Sequence, residues 1–266
     1  MDTNAPQTEP LTLEEVKGPI GIITFNRPDA FNALSRDMLL AVEESLVRLG
    51  NDRSVRAIIL AGAGRAFCAG HDLKEINADP SLEAMNSLFG LCSKVMMRIA
   101  ETPQPVIAQV HGVATAAGCQ LVAACDLAVA AETARFATSG INVGLFCATP
   151  MVALTRNVPR KFAMEMLLTG AFIDAETALR YGLINRITPP AHLASEAEEL
   201  AQVIANKSPA SIAMGKRLFY AQIEAATAAA YDIAAPGMAE NMQCEDAQAG
   251  IDAFANKRPM PDWKGK

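Results

Sequence analysis

The chain has 266 residues, of which 51% are apolar and 20% are charged, and its formal net charge is −6 at pH 7. This length is compatible with one large domain or with one domain and a small appendage. The negative charge argues against nucleic acid or an anionic membrane as the main partner, and no apolar run reaches the roughly 18 residues that span a bilayer.

Strands and helices alternate through the first half of the chain, after a polar tail that we predict for residues 1–10. The β-branched run Ile20–Phe25 predicts a strand, and Ser35 is a predicted N-cap because apolar residues recur after it at helical spacing. The short connections predict α/β layering, with helices packed on a sheet. Further strands are predicted at 55–60, 105–110 and 126–131, and a further helix at 81–99.

The second half becomes helical and rich in alanine and methionine after about residue 169. Such helices cannot bury their apolar faces alone, so we expect them to lie on the core or on another subunit. We therefore predict an α/β core at residues 1–195 and a helical oligomerisation region at residues 196–266. The predicted helices span 174–181, 193–206, 208–231 and 237–255.

The six cysteines are scattered without a CxxC pair. This spacing is more typical of reduced thiols in a cytoplasmic protein than of a disulfide framework or a zinc site, so we expect no metal. The N-terminal tail resembles neither a secretory signal nor an arginine-rich transit peptide. These features predict a cytoplasmic location.

Two loops of small residues, 65–74 and 111–121, each follow a predicted strand and open a helix. Amides at the start of a helix have no partner within it, and the helix dipole makes that end positive. Two such amides directed at one carbonyl oxygen form an oxyanion hole, which contributes about 3–4 kcal/mol per donor at a transition state. Either loop taken alone is more often a tight turn that only permits close packing.

Four motifs occur in order along the chain, and one of them covers the first loop. Together with the second loop, they resemble the enoyl-CoA hydratase/isomerase (crotonase) superfamily over most of the chain. The motifs are ITFNRP at 23–28, AFCAGHDL at 66–73, VAACDLAVA at 122–130 and EMLLTG at 165–170.

The resemblance implies a crotonase-like fold, which is a stack of ββα units with a helical C-terminal trimerisation region. It also implies an acyl-CoA thioester as ligand, a homotrimer or a dimer of trimers, and no cofactor other than the coenzyme A of the substrate. By position, the oxyanion-hole donors are the N–H groups of His71 and Ala117. The residues that the resemblance assigns to coenzyme A are Arg27, Ala66, Ala69, Asp72, Leu73 and Lys216.

Two positions depart from the pattern of hydratases, which carry glutamates where this chain has Gln120 and Gly140. Addition of water to a C=C bond needs a base for the water and an acid for the α-carbon. An amide can hold a water molecule but cannot accept its proton, and glycine offers no side chain. One branch of the superfamily shares both departures, so we expect hydratase activity to be weak or absent.

Other side chains could supply an acid or a base. The ring of His71 titrates near neutral pH, and the thiol of Cys119 lies at a predicted helix N-terminus, which can lower a thiol pKa. We favour a structural role for both. Three functions stay open: an acyl-CoA enzyme for isomerisation, decarboxylation or thioester hydrolysis; a weak enoyl-CoA hydratase (a lyase) of fatty-acid metabolism; and a catalytically silent acyl-CoA binding protein.

Overall fold

The computed structural model describes residues 9–266, so most of the predicted N-terminal tail lies outside the described residues. The described strands are β1 (Thr12–Lys17), β2 (Ile20–Phe25), β3 (Ala57–Gly62), β4 (Ala66–Cys68), β5 (Val106–Val110), β6 (Val113–Thr115), β7 (Leu127–Ala131), β8 (Arg135–Ala137), β9 (Ile173–Asp174) and β10 (Arg186–Thr188).

The described α-helices surround these strands and fill the C-terminal third. They are α1 (Arg36–Asn51), α2 (Leu73–Ala78), α3 (Leu82–Glu101), α4 (Ala117–Ala124), α5 (Ala148–Asn157), α6 (Arg160–Thr169), α7 (Ala175–Arg180), α8 (Leu193–Ala205), α9 (Pro209–Gln222), α10 (Thr227–Asn241) and α11 (Glu245–Ala255). Among residues 9–266, none of the helices is both long and apolar enough to cross a membrane.

The strands form two sheets. The larger has the order β1-β2-β3-β5-β7-β10, and the smaller has the order β4-β6-β8-β9. Strands β3, β5 and β7 are each followed directly by a strand of the smaller sheet, and β4 and β6 lead directly into α2 and α4. This arrangement confirms the predicted crotonase-like stack of ββα units.

Parallel pairing explains why the central strands have almost continuous apolar sequences. Strands β2, β3, β5, β7 and β10 pair in parallel, and β3, β5 and β7 are buried almost throughout. Parallel strands are covered on both faces by helices, so neither face selects polar residues. Helix α8 packs on the larger sheet. Its buried Leu193, Ala197 and Ala201 form one apolar cluster with Ile59 and Val129 of that sheet. This helix crosses the boundary predicted at residue 195 and packs on the core.

Serine caps set the helix starts that the sequence predicts. The Ser35 hydroxyl accepts from the amide of Met38, and the Ser81 hydroxyl accepts from the amide of Ala84, which confirms the starts of α1 and α3. Such caps satisfy amides that the first helical turn leaves free.

The C-terminal helices have different boundaries from those predicted. The single helix predicted at 208–231 is wrong, because the chain leaves helical geometry at 223–226 and α9 and α10 are separate. The predicted boundary at residue 237 is also wrong, since Pro236 and Gly237 lie inside α10. A Cβ on Gly237 would lie 2.5 Å from Leu218 Cδ1, so the helices pack closely at this glycine.

Candidate active site

A cavity of about 230 Å³ lies beside the starts of α2 and α4. A third segment, residues 139–150, closes its other side. Its wall is largely apolar, with His71, Ser139, Cys147 and Thr149 as its polar side chains. The lining residues are Ala69, His71, Leu73, Ile76, Phe89, Ala116, Ala117, Ser139, Gly140, Val143, Leu145, Phe146, Cys147, Ala148, Thr149 and Pro150.

The first loop turns into the cavity at Gly70, which has φ +94°. A Cβ on Gly70 would lie 2.9 Å from Ala116 Cβ, so a larger residue would push the two loops apart. The loop is also fixed to the segment before α1. The amide of Leu34 donates to Gly70 O at 2.7 Å, and the amide of Asp72 donates to Leu34 O at 3.3 Å. Residues 70–72 are therefore held by the backbone of a neighbouring segment.

The second loop meets the first at Gly118, where a Cβ would overlap Cys68 O. Just before α4, Ala116 has φ +50° and ψ −117°, a conformation that is unfavourable for any residue with a Cβ. Its amide donates to Ala137 O at 2.9 Å. Strain of this kind persists only where the surroundings fix the backbone, and it concentrates at functional sites.

The amides of His71 and Ala117 lie close together in this wall. A Cβ on Gly70, the residue before His71, would be 3.4 Å from the nitrogen of Ala117. The parallel bridge between Leu34 and His71 uses the amides of Leu34 and Asp72, which leaves the His71 amide free. Ala117 is the first residue of α4, and within residues 9–266 neither amide donates to a protein acceptor. The wall thus offers two free backbone donors.

The imidazole of His71 is held on two sides. Its Nδ1 lies 3.3 Å from Leu34 O, and its ring meets Phe89 edge-on at 5.3 Å between centroids. Burial lowers the pKa of His71, although the Leu34 carbonyl and Glu75 act in the opposite direction. A neutral ring that donates from Nδ1 leaves a lone pair on Nε2, which is buried without a partner in the described part of the chain.

Gln120 and Gly140, the two predicted catalytic positions without a carboxylate, lie in different surroundings. Gln120 is buried on α4 outside the cavity wall, and its Oε1 is 4.0 Å from Cys92 Sγ. Gly140 lines the cavity, but a Cβ there would overlap Leu145 O. The chain folds back at this point, because the amide of Leu145 donates to Gly140 O at 3.0 Å. The conformation therefore excludes any side chain at residue 140.

The thiols near the cavity have raised pKa values. Burial raises the pKa of Cys119 to about 12, so desolvation outweighs the helix N-terminus and the thiol stays protonated. Burial also raises the pKa of Cys147, against a hydrogen bond with the Gly140 amide that lowers it. Cys119 is therefore a buried, protonated thiol outside the cavity wall. Cys147 differs because it lines the cavity.

Arg27 and Asp72, both assigned to coenzyme A by the resemblance, form an ion pair at 2.7 Å. Asp72 also caps α2 by accepting from the amide of Lys74 at 2.9 Å. Burial alone would raise the pKa of Asp72, but Arg27 and the helix amides together lower it. Ala66 lies in β4, whereas Ala69 and Leu73 line the cavity.

Asn32 is a positioning residue that the sequence analysis missed. It is fully buried at φ +54°, and its side chain accepts from the amide of Arg27 and donates to Ala63 O and Ala66 O at 2.9 and 2.8 Å. These bonds join the first turn to the first loop. An Asn after a turn proline was the available signal, since Asn tolerates this conformation.

The structure does not bring Lys216 to the cavity. Its ammonium is buried and donates to Ile99 O at 2.8 Å, Gln104 O at 3.0 Å and Asp126 Oδ2 at 2.7 Å. Asp126 also accepts from Tyr220 at 2.8 Å. Burial lowers the pKa of Lys216, against the opposite effect of Asp126. The structure therefore gives no support to the assignment of Lys216 to coenzyme A, because its three ammonium hydrogen bonds dock α9 on the core.

Comparison with known proteins identifies the family to which the chain belongs. A family model described as enoyl-CoA hydratase/isomerase matches residues 15–266. The chain therefore belongs to the enoyl-CoA hydratase/isomerase family, as the sequence motifs predict.

Relatives in one branch of that family match along nearly the whole chain. Enoyl-CoA hydratase domain-containing protein 3, mitochondrial, from Rattus norvegicus is 44% identical over 97% of this chain and 86% of its own length. The crystal structure of the human protein of that name has a TM-score of 0.91 at 42% identity, covering 94% of this chain and 99% of its own. An enoyl-CoA hydratase structure from Mycobacterium smegmatis has a TM-score of 0.94 at 54% identity, covering 96% and 99%. The rat and human matches show that the branch of the superfamily that the sequence resembles is that of enoyl-CoA hydratase domain-containing protein 3.

Proposed function

We propose that this chain binds acyl-CoA thioesters in the cavity and uses the amides of His71 and Ala117 as an oxyanion hole. The observation that carries the proposal is the presence of two free backbone donors side by side in one apolar wall. Donors that are fixed before the reaction stabilise a developing oxyanion without reorganisation, and an apolar wall strengthens the interaction. The charge stabilised would be a thioester enolate or a tetrahedral oxyanion.

Coenzyme A would lie along the backbone of residues 66–72, as the resemblance implies. Arg27 is the cation nearest to this path among the residues assigned to coenzyme A, and its side chain remains 32% exposed. Its pairing with Asp72 fixes the guanidinium, and the donors not used by the pair stay available for a phosphate. Lys216 has no part in this proposal.

Ordinary hydration is weak or absent in this proposal. Gln120 lies outside the cavity wall, and the backbone of Leu145 excludes a side chain at Gly140. Neither residue can then act as the acid or base that water addition needs. A weak hydratase, with Gln120 holding a water molecule, is the alternative that a measured rate of crotonyl-CoA hydration would favour.

The lining residues also bear on the acyl group. None of them within the described chain carries a charge, since burial keeps His71 neutral. A carboxylate on the acyl chain would lose its hydration without gaining a counter-charge. We therefore favour uncharged acyl groups, with isomerisation or thioester hydrolysis preferred over decarboxylation.

The test removes the N–H group of Ala117 and leaves unchanged every side chain that could take part in the chemistry. Proline at the first position of a helix removes only an N–H that has no helical partner, so Ala117→Pro deletes the proposed donor. Proline restricts the residue before it, and Ala116 already has a positive φ. The variant is therefore made together with Ala116→Gly, and Ala116→Gly alone is the matched control.

We expect turnover of at least one uncharged acyl-CoA, followed by mass spectrometry over a panel of esters, to fall about 100- to 1,000-fold in the double variant. Affinity for the same ester, measured by calorimetry, should change much less. Equal turnover in the double variant and the control would contradict the oxyanion hole. Binding without turnover in any variant would favour the silent binding protein.

A homotrimer or a dimer of trimers completes the proposal. Large apolar side chains on the C-terminal helices are exposed in the single chain, including Phe219, Tyr231, Met238 and Phe254. Exposed apolar surface of this extent marks an interface. Light scattering of the purified protein at several concentrations tests the assembly, and a monomer would contradict it.

A cytoplasmic location remains part of the same proposal. The named rat relative is described as mitochondrial, so the two locations are direct alternatives. Fractionation of cells that express the full chain distinguishes them.

A further inference from the structure

Ser139 brings a hydroxyl group into the cavity wall, and this group is paired with a second hydroxyl outside the wall. Its Oγ lies 2.6 Å from Thr115 Oγ1. Ser139 lines the cavity, whereas Thr115 is 8% exposed and is not one of the lining residues. The two hydroxyls therefore form one unit, of which only the Ser139 end reaches the cavity.

This pair lies close to the proposed oxyanion hole. Thr115 is opposite Ala137 where the parallel strands β6 and β8 end, and Ala117 follows Thr115 by two residues. Two residues of chain span at most about 7 Å. Ser139 also directly precedes Gly140 in the wall. The Ser139 hydroxyl is thus placed beside the first carbons of an acyl chain whose thioester oxygen is bound by the Ala117 amide.

The pairing determines which hydroxyl proton is available to a ligand. A hydroxyl group has one proton and two lone pairs, so the pair uses only one of its two protons. Within residues 9–266, Ser139 is the hydrogen-bond partner of the buried Thr115 hydroxyl, and buried polar groups are normally paired. Thr115 therefore donates to Ser139, and the proton of Ser139 is left for the cavity. The wall gains a donor in addition to the two backbone amides.

We propose that the Ser139 hydroxyl donates to a carbonyl oxygen on the third carbon of the acyl group, so that the cavity prefers 3-oxoacyl-CoA thioesters to unsubstituted ones. The inference rests on the proposed acyl-CoA site. A ketone oxygen only accepts, which matches a donor that is already oriented. A 3-hydroxyl group would bring a proton of its own into the wall, where an unpaired polar hydrogen is unfavourable.

The preference arises because an unsubstituted acyl group leaves the Ser139 proton without an acceptor. The side chains of Val143, Leu145 and Phe146 make this part of the wall apolar. A ligand that removes water from a polar group without bonding to it loses affinity, whereas a ligand that bonds to it does not. For one neutral hydrogen bond, the expected difference is about tenfold in Kd.

The experiment measures by calorimetry the Kd values of three esters that have the same chain length for the full-length protein. Acetoacetyl-CoA carries the 3-oxo group, 3-hydroxybutyryl-CoA carries a hydroxyl, and butyryl-CoA carries neither. Ser139→Ala removes the proposed donor with little change in size. Thr149→Val is the matched control, because it removes another hydroxyl from the same wall. The quantity compared is the ratio of two Kd values, so a general change in affinity cancels.

We expect acetoacetyl-CoA to bind about tenfold more tightly than butyryl-CoA to the unchanged protein and to Thr149→Val, and about equally tightly in Ser139→Ala. Equal binding of these two esters by the unchanged protein would overturn the inference, as would a preference that persists in Ser139→Ala or is lost in Thr149→Val. Tighter binding of 3-hydroxybutyryl-CoA than of acetoacetyl-CoA would also overturn it. Absence of binding of all three esters would overturn the proposed function as well, so the two failures are separable.

Discussion

The carbonyl oxygen of Leu145 lies where a side chain on Gly140 would have to begin. Gly140 therefore cannot be replaced by a residue with a Cβ unless the segment from Ser139 to Cys147 is rebuilt. The pairing of Leu145 with Gly140 through a backbone hydrogen bond makes that rearrangement unfavourable.

Substitution of Gly140 by Glu should not create a hydratase. We expect Gly140→Ala and Gly140→Glu to lower the free energy of unfolding by about 1–3 kcal/mol, the range for overpacking a close contact. Chemical denaturation checks the loss, and crotonyl-CoA hydration should stay at its original level. Gly90 in α3 is the control, because it is exposed and a Cβ there meets nothing within 4 Å. Gly90→Ala should raise stability by about 0.5–1 kcal/mol. Efficient hydration by Gly140→Glu would contradict the geometry.

Removal of the buried ammonium at Lys216 should weaken the whole fold. Lys216→Met leaves Asp126, whose side chain is only 15% exposed, without its counter-charge, and loss of one partner of a buried pair typically costs about 3–5 kcal/mol. Arg217 is the neighbouring control, because its pair with Glu240 is well exposed, and Arg217→Ala should change stability by less than about 1 kcal/mol. Urea unfolding measures both. Selective loss of coenzyme A affinity in Lys216→Met, with unchanged stability, would restore Lys216 to the ligand site.

The strain at Ala116 should be relieved by glycine. Ala116 has φ +50°, where a Cβ is unfavourable and glycine is not. We expect Ala116→Gly to raise the free energy of unfolding by up to about 1 kcal/mol, because relief of strain exceeds the extra entropy of the unfolded chain. The opposite sign is expected for Ala229→Gly on the exposed surface of α10, where glycine costs about 1 kcal/mol. Equal losses in both variants would show that Ala116 is unstrained.

The stability of the protein should rise with pH around the titration of two partly buried histidines, His71 and His111. Burial lowers the pKa of His71 and of His111 from the ordinary 6.5. Below 6.5 the unfolded chain binds protons that the folded chain does not, so stability is fully present above 6.5 and decreases as the pH falls through the lowered folded values.

Comparison of His71→Gln with the unchanged protein tests this dependence. Unfolding curves between pH 5 and pH 8, about the range of histidine titration, should have a smaller slope of stability against pH in the variant. His192→Gln, which changes an exposed histidine, is the control. An unchanged slope in His71→Gln would mean that the ring is accessible to protons in the fold.

Local chemistry explains which parts of the fold were predictable. Ser35 and Ser81 cap helices through contacts within three residues, so the sequence contains the whole interaction. The break between α9 and α10 has no such signal, because residues 223–226 contain neither glycine nor proline. Pro236 suggested a boundary, but the helix continues through it.

The sequence predicted those features of the candidate site that depend only on the position of the backbone. It did not predict those that depend on tertiary packing. The free amides of His71 and Ala117 lie in the same wall, as the two loop motifs suggested. The family resemblance assigns Lys216 to coenzyme A, but in the fold its ammonium donates to Asp126, which is 90 residues away in the sequence. The exclusion of a side chain at Gly140 depends on Leu145 folding back, which no local pattern indicates.

The contact of Gly118 with Cys68 O has a consequence for how this site can change. The two loops that carry the proposed donors touch here through main-chain atoms, because a Cβ on Gly118 would overlap Cys68 O. Side chains elsewhere in the wall can therefore be exchanged without altering this contact between the loops. For protein engineering, this makes Cys147, His71 and Ser139 three positions where new reactivity can be installed beside an unaltered pair of amides.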